Sequence, residues 1–193
     1  MKLALAISLL ALVLLGGCAT RGELIAKSAA VPAGVDLSGQ WRLRASSQDT
    51  VERLRAAELQ AAGGTEGIRL AKSSQQRPRR RSADGSLVHV FLEMGDALKI
   101  TQTDFGMFIS FDRAIVEEYR FGEKHRISVG EIQADRVSGW ENNTYIIETL
   151  DMDEAKLIET YRLDDNGQTL RRTIVIIDDN KRQVDVTQSF DRG

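Results

Sequence analysis

The sequence predicts a mainly β protein, an antiparallel meander of about eight to ten strands that forms a small barrel or a strongly curved sheet. One observation is that short apolar and polar alternations follow each other from residue 87 onward, with one more run near residue 40. Another is that Gly, Asn and Asp separate these runs. Connections this short join antiparallel neighbours, and closing such a sheet removes its exposed edges.

The domain is predicted to occupy 36–193 and to begin with a strand over 38–44, where Trp41 and Leu43 alternate with two arginines. A helix is predicted over 49–62, because apolar residues recur there at helical spacing between an Asp49 cap and Gly63. Residues 63–86 are rich in Gly, Ser, Gln and Arg, which predicts a loop. The further strands are predicted at 87–93, 97–103, 107–112, 115–121, 134–140, 145–150, 156–163, 169–177 and 183–190.

Composition excludes several functional classes. Acidic residues number 28 against 26 basic ones, a balance that argues against a nucleic-acid binder. One Cys excludes a disulfide framework, and two His with no H-E-x-x-H or calcium-loop spacing point to no metal site and no cofactor. His89 is interpreted as a strand residue and His125 as a turn residue. Because neither belongs to a recognisable nucleophile and base pair, we expect no enzymatic activity.

The N-terminus carries a secretion signal over residues 1–17: Lys2, an apolar run from Leu3 to Leu15, and two glycines. Leu15-Gly16-Gly17-Cys18 resembles the bacterial lipobox. The resemblance implies cleavage before Cys18, attachment of acyl chains such as palmitate, and, from Ala19, delivery to the periplasmic face of the outer membrane. An ordinary secreted protein with a buried or free Cys is the alternative, and inner against outer membrane stays open. Residues 18–35 are interpreted as a lipidated Cys followed by a flexible stalk.

Gly39-Gln40-Trp41 at the start of a run of antiparallel strands resembles the G-x-W motif of lipocalin-like and related calycin barrels. The resemblance extends to bacterial lipoproteins with a lipocalin-like β domain and mostly no assigned activity. It implies that Trp41 closes one end of the barrel beside an arginine of the last strand, here Arg192 or Arg182. The alternative is a core Trp beside a glycine that permits close backbone approach. The helix position, directly after the first strand, departs from the lipocalin pattern.

The last three predicted strands mix polar groups into apolar rows. If these rows point inward, Glu159, Arg172 and Gln188 form a polar patch inside the barrel, either as a mutual ion pair or as the lining of a wet ligand cavity. The opposite rows are also partly apolar, so the direction stays open. The candidate ligand-binding residues are Trp41, Glu159, Tyr161, Arg172 and Gln188.

These patterns favour a membrane-anchored periplasmic lipoprotein that binds a small apolar or amphipathic ligand in its barrel. The alternative is a structural or interaction lipoprotein of the envelope with a filled barrel and no ligand. In that case an anionic envelope partner is expected to contact the basic run of the loop, which consists of Arg77, Arg79, Arg80 and Arg81.

Overall fold

The computed structural model of the protein describes residues 23–45, 52, 87–164, 167–178 and 181–193. In these residues the chain forms ten strands and a short 3₁₀ helix, and no helix is long and apolar enough to cross a bilayer. The strands are β1 Gly39–Leu43, β2 Ala97–Gln102, β3 Gly106–Phe111, β4 Ile115–Arg120, β5 Lys124–Val129, β6 Ile132–Glu141, β7 Thr144–Asp151, β8 Lys156–Asp164, β9 Thr169–Asp178 and β10 Lys181–Arg192.

All ten strands belong to one antiparallel sheet in the order β4-β3-β2-β1-β10-β9-β8-β7-β6-β5. Chain neighbours pair throughout except across the β4–β5 connection, and β1 pairs with β10, so β4 and β5 are the two edges. Phe121, directly after β4, pairs with Ser138 of β6. The sheet is therefore curled so strongly that its two edges approach each other. The predicted antiparallel meander with a strongly curved sheet is confirmed.

Two local predictions were wrong. Residues 87–93 do not form a strand: Val88–Phe91 is a 3₁₀ helix that contains His89. A 3₁₀ turn stacks residues three apart, which buries Val88 and Phe91 on one side. Conversely, His125 lies in β5 and not in a turn. Ile127 and Val129 alternate with Arg126 and Ser128, but the face they form is only partly buried and the other face is exposed, so the apolar signal of this edge strand is weak.

Several predicted segments fall largely or wholly outside the described residues. They are the signal peptide 1–17, Cys18, the loop 63–86 with its four arginines, and most of the helix 49–62. Of that helix only Glu52 is described, and it is helical.

Residues 23–37, here called the N-terminal arm, lie against the sheet, although the composition of 18–35 predicts a flexible stalk. Ser28 and Trp140 exchange two backbone hydrogen bonds, with N–O distances of 3.3 and 2.9 Å. The Lys27 ammonium lies 2.5 Å from a Glu141 oxygen and 2.8 Å from a Glu148 oxygen. The arm thus extends the pairing of β6 at the end where β5 has stopped.

Two apolar clusters fill the curled sheet. One, around Trp41 and Trp140, joins β1 to β4 with β6 to β10, and its aromatic rings meet in contacts such as Phe121 with Trp140 at 5.7 Å between centroids. The other packs the 3₁₀ helix against Ala134, Leu157 and Ile174.

Gly139 lets the N-terminal arm approach β6. A Cβ atom at this position would lie 2.5 Å from the Ser28 carbonyl oxygen and 2.7 Å from Lys27 Cβ. We expect Gly139→Ala to displace the arm, to lower the free energy of unfolding by about 1–3 kcal/mol, and to speed hydrogen exchange of the Ser28 amide.

Gly130→Ala is the control. A Cβ atom at Gly130, whose φ is +60°, meets nothing within 4 Å. The left-handed backbone alone should then cost about 1–2 kcal/mol. Hydrogen exchange of the Ser28 amide should speed up only by the amount that this loss of global stability accounts for. Equal Ser28 exchange in the two variants, after correction for stability, would contradict the docking role of Gly139.

Candidate functional site

The polar residues predicted on β8, β9 and β10 point into the curled sheet. Glu159, Tyr161, Arg172 and Gln188 are each at most 1% exposed. The strand register places Tyr161 opposite Arg172, and Arg172 opposite Gln188, so three side chains form one row across three strands. The direction of these rows, left open by the sequence, is therefore inward.

Arg172 is the centre of this group. Its Nε and Nη2 atoms donate to Glu159 Oε2 at 3.1 and 2.5 Å, and its Nη1 atom donates to Gln188 Oε1 at 3.4 Å. The Tyr161 hydroxyl donates to the same Glu159 oxygen at 3.0 Å. The guanidinium also lies 5.2 Å from the ring centroid of Phe111 on β3, across the interior. Of the two arrangements left open by the sequence, the structure shows the mutual ion pair.

Electrostatics fix the protonation states of Arg172 and Tyr161. Burial by itself would lower the pKa of Arg172, but Tyr161 and Glu159 raise it above its usual value. Burial raises the pKa of Tyr161 well above its usual range. At neutral pH the guanidinium is a cation and the Tyr161 hydroxyl is a hydrogen-bond donor.

A second buried arginine, Arg136 on β6, was not among the candidate residues. Its Nε donates to Thr149 Oγ1 at 2.9 Å, and its Nη1 lies 3.1 Å from Glu117 Oε2 on β4. Its guanidinium lies 5.3 Å from the ring centroid of Tyr119. The signal was present in the predicted strand 134–140, where Arg136 occupies the same alternate row as Ala134 and Trp140.

The two arginines and their partners form a layer between the apolar clusters, here called the polar belt. Arg136 links β4 to β6 and β7, while Arg172 links β8, β9 and β10, so the belt reaches six strands of the sheet. Its members are Glu117, Arg136, Thr149, Glu159, Tyr161, Arg172 and Gln188.

One side of the belt is covered by residues 88–93, here called the plug. The carbonyl oxygen of Phe91 accepts from Arg136 Nη2 at 3.2 Å, and that of Glu93 accepts from Arg172 Nη2 at 2.7 Å. Burial, and then the carboxylates of Glu117 and Glu159, raise the pKa of Glu93. The plug is thus held by two carbonyl groups, while the charged form of its own carboxylate is disfavoured mainly by burial and is partly supported by Arg136 and Arg172.

The belt also contains an unused donor. The Nε2 atom of Gln188 is buried and has no hydrogen-bond partner among the described residues. Buried amide groups without a partner are uncommon, and each costs free energy unless a water or a ligand accepts from it. The interior therefore offers an unoccupied hydrogen-bond donor beside Arg172.

Trp41 lies apart from the belt. Its indole ring is stacked under Arg192, 4.2 Å from ring centroid to guanidinium carbon, and its Nε1 donates to the Leu37 carbonyl at 3.0 Å. The expected contact between Trp41 and an arginine of the last strand is confirmed, with Arg192 in that place. Of the five candidate ligand-binding residues, the structure therefore brings together Glu159, Tyr161, Arg172 and Gln188 but not Trp41.

The described residues hold no group of three or more His, Cys, Asp or Glu side chains placed to bind a metal ion. His89 lies in the plug, and His125 on β5 lies opposite Arg136. Neither is a member of the belt.

No family model and no curated protein matches the chain. Among solved structures, a luciferase domain from the dinoflagellate Lingulodinium polyedrum aligns with a TM-score of 0.50 at 13% identity, over 88% of this chain and 45% of that one. A secretory abundant heat soluble protein from Ramazzottius varieornatus aligns at 0.48 and 11%, over 85% and 100%. Lipid binding protein 8 from Caenorhabditis elegans aligns at 0.47 and 15%, over 83% and 100%. At such identities the luciferase-domain match shows a shared fold alone.

The ion pair at the centre of the belt gives a stability prediction. Arg172→Met leaves the Glu159 carboxylate buried without its counter-charge, and we expect it to lower the free energy of unfolding by about 3–5 kcal/mol. The double variant Arg172→Met with Glu159→Gln should recover most of this loss, since no charge then remains uncompensated. Urea unfolding at neutral pH measures both, and equal losses in the single and double variants would contradict the pairing.

Proposed function

We propose that this protein is a lipid-anchored lipoprotein on the periplasmic face of the bacterial outer membrane, and that its curled sheet binds a small amphipathic ligand. The observation that carries the proposal is the polar belt, a layer of hydrogen-bond donors inside an otherwise apolar interior. An amphipathic ligand needs both parts: apolar walls for its chain and fixed donors for its polar end.

The plug occupies the place that such a ligand requires. Its two carbonyl oxygens accept from Arg136 and Arg172, as the oxygens of a bound ester, amide or alcohol would. Displacement of the plug would free one donor on each guanidinium next to the unused amide of Gln188. The apolar side chains that the plug buries, Val88 and Phe91, would be replaced by the ligand's hydrocarbon.

The charge balance of the belt determines which polar end fits. Arg172 already has a carboxylate partner, Glu159, and Arg136 has Glu117. A ligand carboxylate would add a further negative charge beside these groups, whereas a neutral carbonyl or hydroxyl needs only the free donors. The belt therefore favours an uncharged polar end over a fatty-acid carboxylate.

The anchor is proposed from the sequence motif at Cys18. Two or three acyl chains give stable attachment, which one chain alone does not. The N-terminal arm begins its contacts near Glu23, whose carbonyl accepts from Lys156 Nζ at 3.0 Å. A short tether would then hold the sheet close to the bilayer, and ligands that partition into membranes would be the nearest supply.

We propose binding and not catalysis as the role of the belt. Its charged members are engaged with each other, and it contains no histidine or cysteine. An activated nucleophile requires a hydroxyl or thiol held by an oriented base.

A second candidate function is that of a filled interaction protein of the envelope. It is favoured by the packing of the described interior and by apolar side chains that face solvent, such as Phe105 at 82% and Val116 at 63% exposure. In this case the basic run Arg77, Arg79, Arg80 and Arg81 would contact an anionic envelope partner.

Ligand preference provides a direct test. Delipidated protein should bind monooleoylglycerol more tightly than oleate, because Glu159 neutralises Arg172. Glu159→Gln keeps the shape of the side chain but frees the cation, and we expect oleate affinity to rise about tenfold or more. NMR titration followed at the Gln188 side-chain amide, which lies in the interior, measures both lipids.

Glu118→Gln, on the outer face of β4, is the matched control and should leave both affinities unchanged. Two results together would contradict the proposal of ligand binding: neither lipid binds, and mass spectrometry finds no co-purifying small molecule. The second candidate function, a filled interaction protein, would then be favoured.

The anchor has its own test. In a bacterial host, the wild-type protein should incorporate radiolabelled palmitate and sediment with outer membranes. Cys18→Ser should abolish the label and move nearly all of the protein to the soluble fraction, since the remaining chain has no acyl group. Incorporation of palmitate into Cys18→Ser, or no incorporation into the wild-type protein, would contradict lipidation at Cys18.

A further inference from the structure

A cavity of about 470 Å³ lies on the outer face of β1 to β4, on the side of these strands opposite the core. The register builds its floor: Gln40, Lys99, Ser110 and Val116 lie opposite one another across four adjacent strands. Because successive side chains alternate between faces, this outer groove is independent of the polar belt. The groove is defined here by Arg42, Lys99, Phe108, Ser110, Arg113 and Val116, which are among its lining residues.

The groove collects positive charge on a chain whose net charge is −2. Arg42, Lys99 and Arg113 all line it, all are exposed, and none forms an ion pair with a described residue. Cations that share one concave surface without counter-charges raise the local concentration of anions.

The side-chain carboxylates that flank the groove are engaged elsewhere. Asp191, opposite Arg42, is paired with Arg44, and Glu118 lies 3.3 Å from Arg120. Asp112 accepts from the backbone amides of Asp96 and Ala97, at 2.9 and 2.8 Å. An anion in the groove would therefore meet three cations that are not paired with any described side-chain carboxylate.

Arg113 holds an unfavourable backbone conformation at the rim of this groove. The β3–β4 turn places Asp112 at φ 48° and Arg113 at φ 61°, and the Ala114 amide donates to the Phe111 carbonyl at 3.0 Å. Turns with positive φ at both central residues strongly prefer glycine at the second. A long cationic side chain at this position is an outlier of the kind that clusters at functional sites.

The groove is also partly apolar, with Phe108 and Val116 exposed by 38% and 63%. From this combination we propose that the outer groove is a second binding site, which takes a free single-chain amphiphile with an anionic head. The head lies between Arg42, Lys99 and Arg113, and the start of the chain lies on Phe108 and Val116. This proposal does not depend on ligand binding inside the sheet.

The test uses octyl phosphate and the mature protein. Saturable shifts of the backbone amide signals of Lys99, Ser110 and Val116 are expected in NMR titrations. Lys99→Glu should weaken binding about tenfold or more, since a charge-assisted contact is replaced by repulsion. Arg113→Gly should also weaken it while leaving the unfolding midpoint equal or higher, because glycine tolerates the turn. Arg162→Glu, an equal change of charge on the outer face of β8, should leave the affinity unchanged.

Three results would overturn the proposal. The first is equal affinity for octyl phosphate in the wild type and in Lys99→Glu. The second is binding of inorganic phosphate or octyltrimethylammonium as tightly as octyl phosphate, because the apolar part or the anionic head would then be irrelevant. The third is sedimentation with phosphatidylglycerol vesicles that Lys99→Glu abolishes, without any binding of monomeric octyl phosphate.

Discussion

The structure depends on how two guanidinium groups are accommodated inside a curled sheet. A buried cation is costly unless a carboxylate and further acceptors surround it. Arg172 meets this requirement with Glu159, Gln188 and the Glu93 carbonyl, and Arg136 with Glu117 and further acceptors. Since these acceptors come from different strands, satisfying two side chains fixes the relative positions of most of the sheet and of the plug.

The same requirement helps to close the molecule. A curled ten-stranded sheet leaves β4 and β5 as edges, and unpaired edges invite association with other chains. Here Glu117 of β4 reaches Arg136 of β6 across the seam, Phe121 pairs with Ser138, and the N-terminal arm pairs with Trp140. The seam is thus covered by an ion pair, a backbone bridge and an added segment, without continuous pairing between the two edge strands.

Alternation along the strands gives the sheet two chemically different surfaces. Inward positions such as Leu98 and Ile109 are buried in the core, whereas Lys99 and Ser110 face outward. The interior offers donors that are already balanced by carboxylates, and the outer groove offers cations that are not. An uncharged polar group suits the first environment and an anion suits the second, because burial penalises unbalanced charge far more than exposure does.

The sequence by itself determined the β class, the meander, most strand positions, the contact of Trp41 with a C-terminal arginine, and the row containing Glu159, Arg172 and Gln188. The Trp41 contact is implied by the resemblance of Gly39-Gln40-Trp41 to the G-x-W motif. The other features follow from local alternation and turn chemistry, which act over a few residues. Only the tertiary structure decided that the rows face inward, that Arg136 joins the belt, that 88–93 forms a plug, and that β5 is a strand. The first three depend on partners far away in the chain, such as the Phe91 carbonyl for Arg136, and local periodicity carries no information about such contacts. β5 pairs with its chain neighbour β6, but its weak apolar signal did not identify it as a strand.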